Sequence, residues 1–143
     1  MTTVSFTGDI AFSKYFADAW QRDDFIDDDI LKFLNDSEYV VANVESPFTA
    51  AGIDSDRPLN HASNPAAICT LRQLNANIWT IGNNHVLDCG EEGMLDSIKL
   101  ANDNGFQTVG AGRNVDEAIR PIIIEKDGGI GIFVVTYKRG EFI

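Results

Sequence analysis

Hydrophobic residues along this chain fall into short blocks with alternating periods, and the alternation predicts the architecture. Thr3, Val4, Ser5 and Phe6 form a first strand-like block ending at Gly8 and Asp9, and residues 39–44 form a second ending at Glu45. Between them Ile26, Ile30, Leu31, Phe33 and Leu34 recur at helical spacing. Asp23, Asp24, Asp27, Asp28 and Asp29 lead into that segment, where carboxylates suit the positive end of a helix dipole. Residues 46–64 carry Pro47, Gly52, Pro58 and many polar side chains and read as an excursion loop. Asn64-Pro65 then supplies an N-cap followed by proline at the first helical position, opening a helix with Ala66, Ile68, Leu71 and Leu74.

The same alternation continues. Residues 77–81 predict a third strand, and Met94, Leu95, Ile98 and Ala101 recur at helical spacing until Asn104-Gly105 stops that helix. Residues 106–109 predict a fourth strand and residues 115–119 a short helical turn. The segments 121–125 and 130–136 flank Lys126-Asp127-Gly128-Gly129 as a hairpin. Strands alternating with helices predict an α/β fold on a largely parallel sheet, extended at one edge by the hairpin. In such a sheet the carboxyl ends of the strands share one rim, where ligands bind. Asp9, Glu45 and the Asn84-His85 pair all follow strands onto that rim.

Size and charge narrow the picture. With 143 residues, 44% of them hydrophobic, the chain is expected to form one domain, 1–143, around a single core. A formal net charge of -11 argues against a nucleic-acid backbone or an anionic membrane as the main partner, because either needs a positive surface. It leaves open phosphate bound through a metal. The aspartates at 23–29 lack the alternating ligands and central glycine of a calcium loop and read as a solvated helix start.

The two cysteines, Cys69 and Cys89, form neither a C-x-x-C pair nor a framework and are expected to be free thiols. Cys69, among Ala67, Ile68 and Leu71, is expected in the core, and Cys89 has no flanking base to activate it. No apolar run approaches the roughly 20 residues of a membrane span. The first residues enter a strand without a charged leader, so the chain as written is expected to be cytoplasmic, although a trimmed membrane-anchored or secreted parent would read the same. Asn35-Asp36-Ser37 matches a glycosylation acceptor by chance on this reading.

The chemistry concentrates in the run Ile81-Gly82-Asn83-Asn84-His85-Val86-Leu87-Asp88-Cys89-Gly90. Asn84 offers a carbonyl oxygen to a hard cation, His85 exchanges a proton near neutral pH, and Asp88 binds metal or orients the imidazole. Each candidate has a plainer role when taken alone. Asp9 and Asp88 can cap helices, Glu45 can be a turn residue, and His85 can be structural. Ligand-type residues at successive strand ends are what point to a site. Gly110-Ala111-Gly112 starts like a dinucleotide fingerprint, but Val115 replaces the last glycine, so it reads as a tight turn or close backbone approach. Ala11, two residues after Asp9, argues against an aspartyl-phosphate mechanism, and His61 in its polar loop reads as solvated.

Four motifs in order carry a family resemblance. Thr7-Gly8-Asp9, Asn43-Val44-Glu45-Ser46-Pro47, Gly82-Asn83-Asn84-His85-Val86-Leu87-Asp88-Cys89-Gly90 and Val109-Gly110-Ala111-Gly112 resemble the CapA family of capsule and poly-gamma-glutamate synthesis proteins. The set covers nearly the whole chain. That family is similar to the calcineurin-like metallophosphoesterases, whose fold is an α/β/β/α sandwich with a two-metal centre.

The resemblance implies that Asp9 is the first metal-binding aspartate, Glu45 an acidic ligand approaching the metals and Asn84 the ligating asparagine. His85 would contact substrate and protonate the leaving group, with Asp88 orienting it. The implied cofactor is a divalent metal (Mn, Zn, Fe or Mg), and the implied partner is a capsule polymer or small anionic substrate. The activity so implied is that of a metal-dependent hydrolase-like protein acting on a phosphoester or amide bond. The alternative is a non-catalytic assembly or binding module that keeps the fold.

Relatives with a complete centre supply further histidines from a C-terminal half, whereas nothing after His85 here is histidine. The resemblance therefore implies the N-terminal part of the sandwich, without its second sheet. Exposed strand edges and apolar faces would then be covered by a homo-oligomer or a partner.

Overall fold

The computed structural model describes residues 1–51 and 61–136, the side chain of Tyr15 excepted. Along the chain run β1 (Val4–Ile10), α1 (Asp28–Asn35), β2 (Tyr39–Val44), α2 (Ile68–Gln73), β3 (Ile78–Thr80), α3 (Gly90–Asp103), β4 (Gln107–Val109), α4 (Val115–Ala118), β5 (Ile122–Ile124) and β6 (Ile130–Ile132). The first four strands form one parallel sheet in the order β1-β2-β3-β4. Because the order advances in one direction, the connecting helices fall on a single face.

Side-chain alternation along the strands sorts the core into two parts. Val40, Ala42 and Val44 of β2 and Trp79 of β3 pack with Leu34 of α1, Leu71 of α2 and Ala101 of α3. Trp79 is fully buried, stacked on Phe106 at 5.0 Å and tilted against Phe48 at 5.5 Å, and its indole N–H donates to the Ala76 carbonyl at 2.8 Å. The other face carries Val41, Ile78 and Val109, packed against Ile124 and Ile132 of the hairpin.

That second contact corrects the expected place of the hairpin. β5 and β6 pair antiparallel as a separate two-stranded sheet and do not extend the parallel sheet at its edge. Inward residues Ile122, Ile124, Ile130 and Ile132 alternate with outward ones, and the free face of the parallel sheet is where they find burial. Helices, parallel sheet and hairpin thus stack as α/β/β, part of an α/β/β/α sandwich.

β1 also departs from expectation, running on to Ile10 through a register irregularity between Phe6 and Asp9. Asp9 therefore lies within the strand, opposite Asn43. Pairing with β2 holds the polar Thr7-Gly8-Asp9 segment extended, and the Glu45 N–H closes it on the Ile10 carbonyl at 2.9 Å.

The helix ends follow their capping residues. Asp27 accepts from the Asp29 N–H at 2.9 Å, Asn64 accepts from the Ala66 N–H at 2.9 Å, and Gly105 after α3 takes φ +80°. Pro65–Ala67 opens as a 3-10 turn before α2. Cys69 is exposed, contrary to expectation, because Ala67, Thr70, Leu71 and Leu74 make the buried face of that helix. Of the excursion loop, residues 52–60, with Gly52 and Pro58, lie outside the described residues. No helix among the described residues is long and apolar enough to cross a membrane.

Candidate active site

The loop after β3 is built on its first asparagine. Asn83 donates its amide to the Val44 carbonyl at 3.0 Å, tying the loop to the end of β2, and its amide oxygen accepts the His85 backbone N–H at 3.0 Å. His85 is thereby turned back over the rim. Its Nδ1 lies 2.7 Å from Asp88 Oδ2, and its Nε2 lies 3.7 Å from Glu45 Oε1. A carboxylate only accepts, so the Asp88 contact keeps a proton on Nδ1 and presents Nε2 toward Glu45. Both carboxylates and the ring are mostly buried, at 11%, 25% and 16% side-chain exposure for Asp88, Glu45 and His85.

Asp88 is not the cap of α3, a place Cys89 occupies without a side-chain cap. The same Asp88 Oδ2 accepts the backbone N–H of His61 at 2.7 Å. His61, read from sequence as solvated, is half-buried here. Its ring meets that of His85 edge to face at 4.4 Å and 81°, and its Nδ1 lies 2.7 Å from Ser13 Oγ. Burial, then His85 and Lys14, push its pKa below the ordinary value of 6.5, against weaker upward pulls from Asp88 and Glu45. Cys89 donates to the His61 carbonyl at 3.6 Å, and burial, then Asp88, raise its thiol pKa, which makes it a structural thiol.

A second chain of hydrogen bonds crosses the strand ends. Asn43 donates to Asp9 Oδ1 at 2.6 Å, and its own amide oxygen accepts from Thr80 Oγ1 at 3.2 Å and Asn83 Nδ2 at 3.4 Å. Asp9 on β1 is thus connected through β2 to the His85 loop. The structure brings His85, Asp88 and Glu45 into contact and links Asp9 to them through amides. Asn84 is exposed, and its side chain makes no hydrogen bond among the described residues.

Among the described residues no three or more His, Cys, Asp and Glu side chains are arranged to hold a metal ion. The donor types that are present, the carboxylates of Asp9 and Glu45 and the amide of Asn84 at or after the ends of β1, β2 and β3, have the chemistry of part of such a site. Sequence reasoning missed Ser13, His61, Asn43 and Asn83. The two asparagines lie inside the quoted motifs, while Ser13 and His61 are 48 positions apart and share no local pattern.

Comparison with known proteins finds a family match over nearly the whole chain. Residues 3–142 match the family described as bacterial capsule synthesis protein PGA_cap. The chain is similar to the PGA biosynthesis protein CapA of Bacillus subtilis, 27% identical over 139 residues, which are 94% of this chain and 37% of that protein. It is also similar to the "Probable polyglutamine synthesis accessory protein" of Mycobacterium tuberculosis, 30% identical over 89 residues, 62% of this chain and 23% of that protein. The chain spans only about a third of the length of the first of these and less of the second.

Proposed function

The chain belongs to the bacterial capsule synthesis protein family, and from that premise we propose that it serves the synthesis of a poly-gamma-glutamate capsule polymer, with the rim around His85 as its working site. The observation that carries this reading is His85 held between two carboxylates, Nδ1 on Asp88 at 2.7 Å and Nε2 facing Glu45 at 3.7 Å. Such an imidazole is oriented by one carboxylate, and its second nitrogen is left to give or take a proton. As the imidazolium, which Asp88 stabilises, His85 gives its Nε2 proton to the leaving group of a phosphoester or amide bond and is left neutral with its other proton on Nδ1.

On this reading Asp9, Glu45 and Asn84 hold a divalent metal, which when bound lowers the pKa of a water and draws charge from the reacting centre. Asn43 keeps the Asp9 carboxylate in place from the neighbouring strand. The expected partner is the anionic polymer or a small anionic precursor. Exposed Phe6, Phe133 and Val135 support a second copy or another protein covering the hairpin side.

The second reading is a binding or assembly module that keeps the fold without chemistry. It is favoured by the lack of a three-residue His, Cys, Asp or Glu cluster among the described residues. Calorimetric titration of manganese and zinc into the chain and into Asp9→Ala and Glu45→Ala separates the two. Binding that either substitution weakens supports the metal site. No binding, or binding untouched by both, leaves the module.

A further inference from the structure

The cationic side of this site is built from residues outside every family motif quoted above. Ser13 is 9% exposed, and its hydroxyl has one partner among the described residues, His61 Nδ1. If Nδ1 carried the proton, the nearly buried hydroxyl would accept it and leave its own O–H unpaired, which is unfavourable. The hydroxyl therefore donates, and the neutral His61 ring carries its proton on Nε2. That nitrogen has no partner among the described residues, and the ring stands against His85 at 4.4 Å.

Lys14 follows Ser13 directly, is exposed and makes no ion pair among the described residues. It shares a segment with the hydroxyl that lies 2.7 Å from His61 Nδ1, which puts a cation next in sequence to the residue that fixes the His61 ring. In a chain of net charge -11, a cation with no ion pair among the described residues, in the same segment as a fixed N–H donor that stands against a proton-transferring imidazole, is suited to an anion.

We propose that His61, fixed by Ser13 as its Nε2–H tautomer, and Lys14 form the anion-recognising side of the His85 site and take an oxygen of a substrate carboxylate or phosphate. This deepens the reading of the rim as the working site and rests on it. The acidic wall of Asp9 and Glu45 would then face a donor wall, and a ligand carrying an anionic group would lie between them. His61 and Lys14 bind and orient; the proton transfer stays with His85.

The test titrates inorganic phosphate and, separately, a γ-linked glutamate oligomer into the chain by calorimetry, so that the arm that binds names the source of the anion. His61→Phe keeps an aromatic ring against His85 but removes the N–H, and Lys14→Gln removes a charge at an exposed position where folding is not at risk. Each is expected to weaken anion binding about tenfold. Long-range nitrogen-proton spectra are expected to show His61 protonated on Nε2, and to show that preference reduced in Ser13→Ala.

Binding within twofold of wild type in either variant, a His61 protonated on Nδ1, or no binding of either anion at millimolar concentration would overturn the proposal. A manganese titration separates its fate from that of the metal reading. Anion binding that depends on His61 and Lys14 without metal binding sinks only the metal site. Metal binding with anion affinity indifferent to both residues sinks only this proposal.

Discussion

Gly82 and Gly110 meet backbone to backbone: a Cβ placed on Gly82 would lie 2.5 Å from the carbonyl oxygen of Gly110. Gly110 itself takes φ +101°, and the Ile81 N–H reaches the Val109 carbonyl at 2.9 Å, so the exits of β3 and β4 run side by side. The Asn83-to-His85 loop starts from this contact. Neither backbone is free to give, so Gly82→Ala is expected to destabilise the fold by about 1–3 kcal/mol. It should also shift the His85 imidazole resonances. A wild-type denaturation midpoint with an unmoved His85 spectrum would show that the contact does not set the loop.

One oxygen of Asp88 serves two donors at 2.7 Å, the His85 ring and the His61 backbone. Asp88→Asn keeps an acceptor but loses the charge. Asp88→Ala leaves both donors unpaired in a mostly buried place, at a cost on the order of 1–3 kcal/mol. Urea denaturation should therefore rank stability as wild type, then Asn, then Ala. An alanine variant as stable as wild type would remove Asp88 as the tie between the two histidine segments.

The surroundings of His61 give it a pH dependence whose sign follows from burial. Its pKa is lowered below 6.5 by burial, His85 and Lys14, so between the folded-state midpoint and 6.5 the unfolded chain binds more protons than the folded one. The stability linked to His61 is complete above pH 6.5 and is lost as pH falls through that window. An NMR titration is expected to place the His61 midpoint below 6.5, and Lys14→Gln to move it upward. A midpoint above 6.5 would mean that the carboxylates of Asp88 and Glu45 outweigh burial.

What the sequence makes legible is whatever a local pattern carries. β2 reads correctly because Val40, Val41, Ala42 and Val44 are apolar on both faces of a central strand. The second half of β1 is illegible, since Thr7-Gly8-Asp9 has little strand propensity and is extended only by pairing with a strand some 30 positions on. The period-2 isoleucines announce a hairpin but do not say whether it lies at an edge or on a face. In the candidate site, Glu45, His85 and Asp88 are legible because they sit at element ends or three positions apart. The Ser13–His61 contact depends on where the excursion loop returns, which only the folded chain decides.

The two thiols provide a separate check, because adjacent apolar neighbours in sequence do not share a helix face. Cys69 lies off the buried face of α2 and is exposed, whereas Cys89 is 9% exposed and donates its S–H to the His61 carbonyl at 3.6 Å. Burial and the nearby Asp88 carboxylate both disfavour the Cys89 thiolate, raising its pKa above the ordinary 9.0. Since the thiolate is the reactive form, a disulfide reagent at neutral pH should label Cys69 quickly and Cys89 slowly. Unfolding the chain should equalise the two rates. Asp88→Asn removes one of the two causes and is expected to speed Cys89 labelling in the folded chain. Fast labelling of both cysteines in the folded protein would mean that the loop joining Asp88, Cys89 and His61 opens more readily than its hydrogen bonds imply.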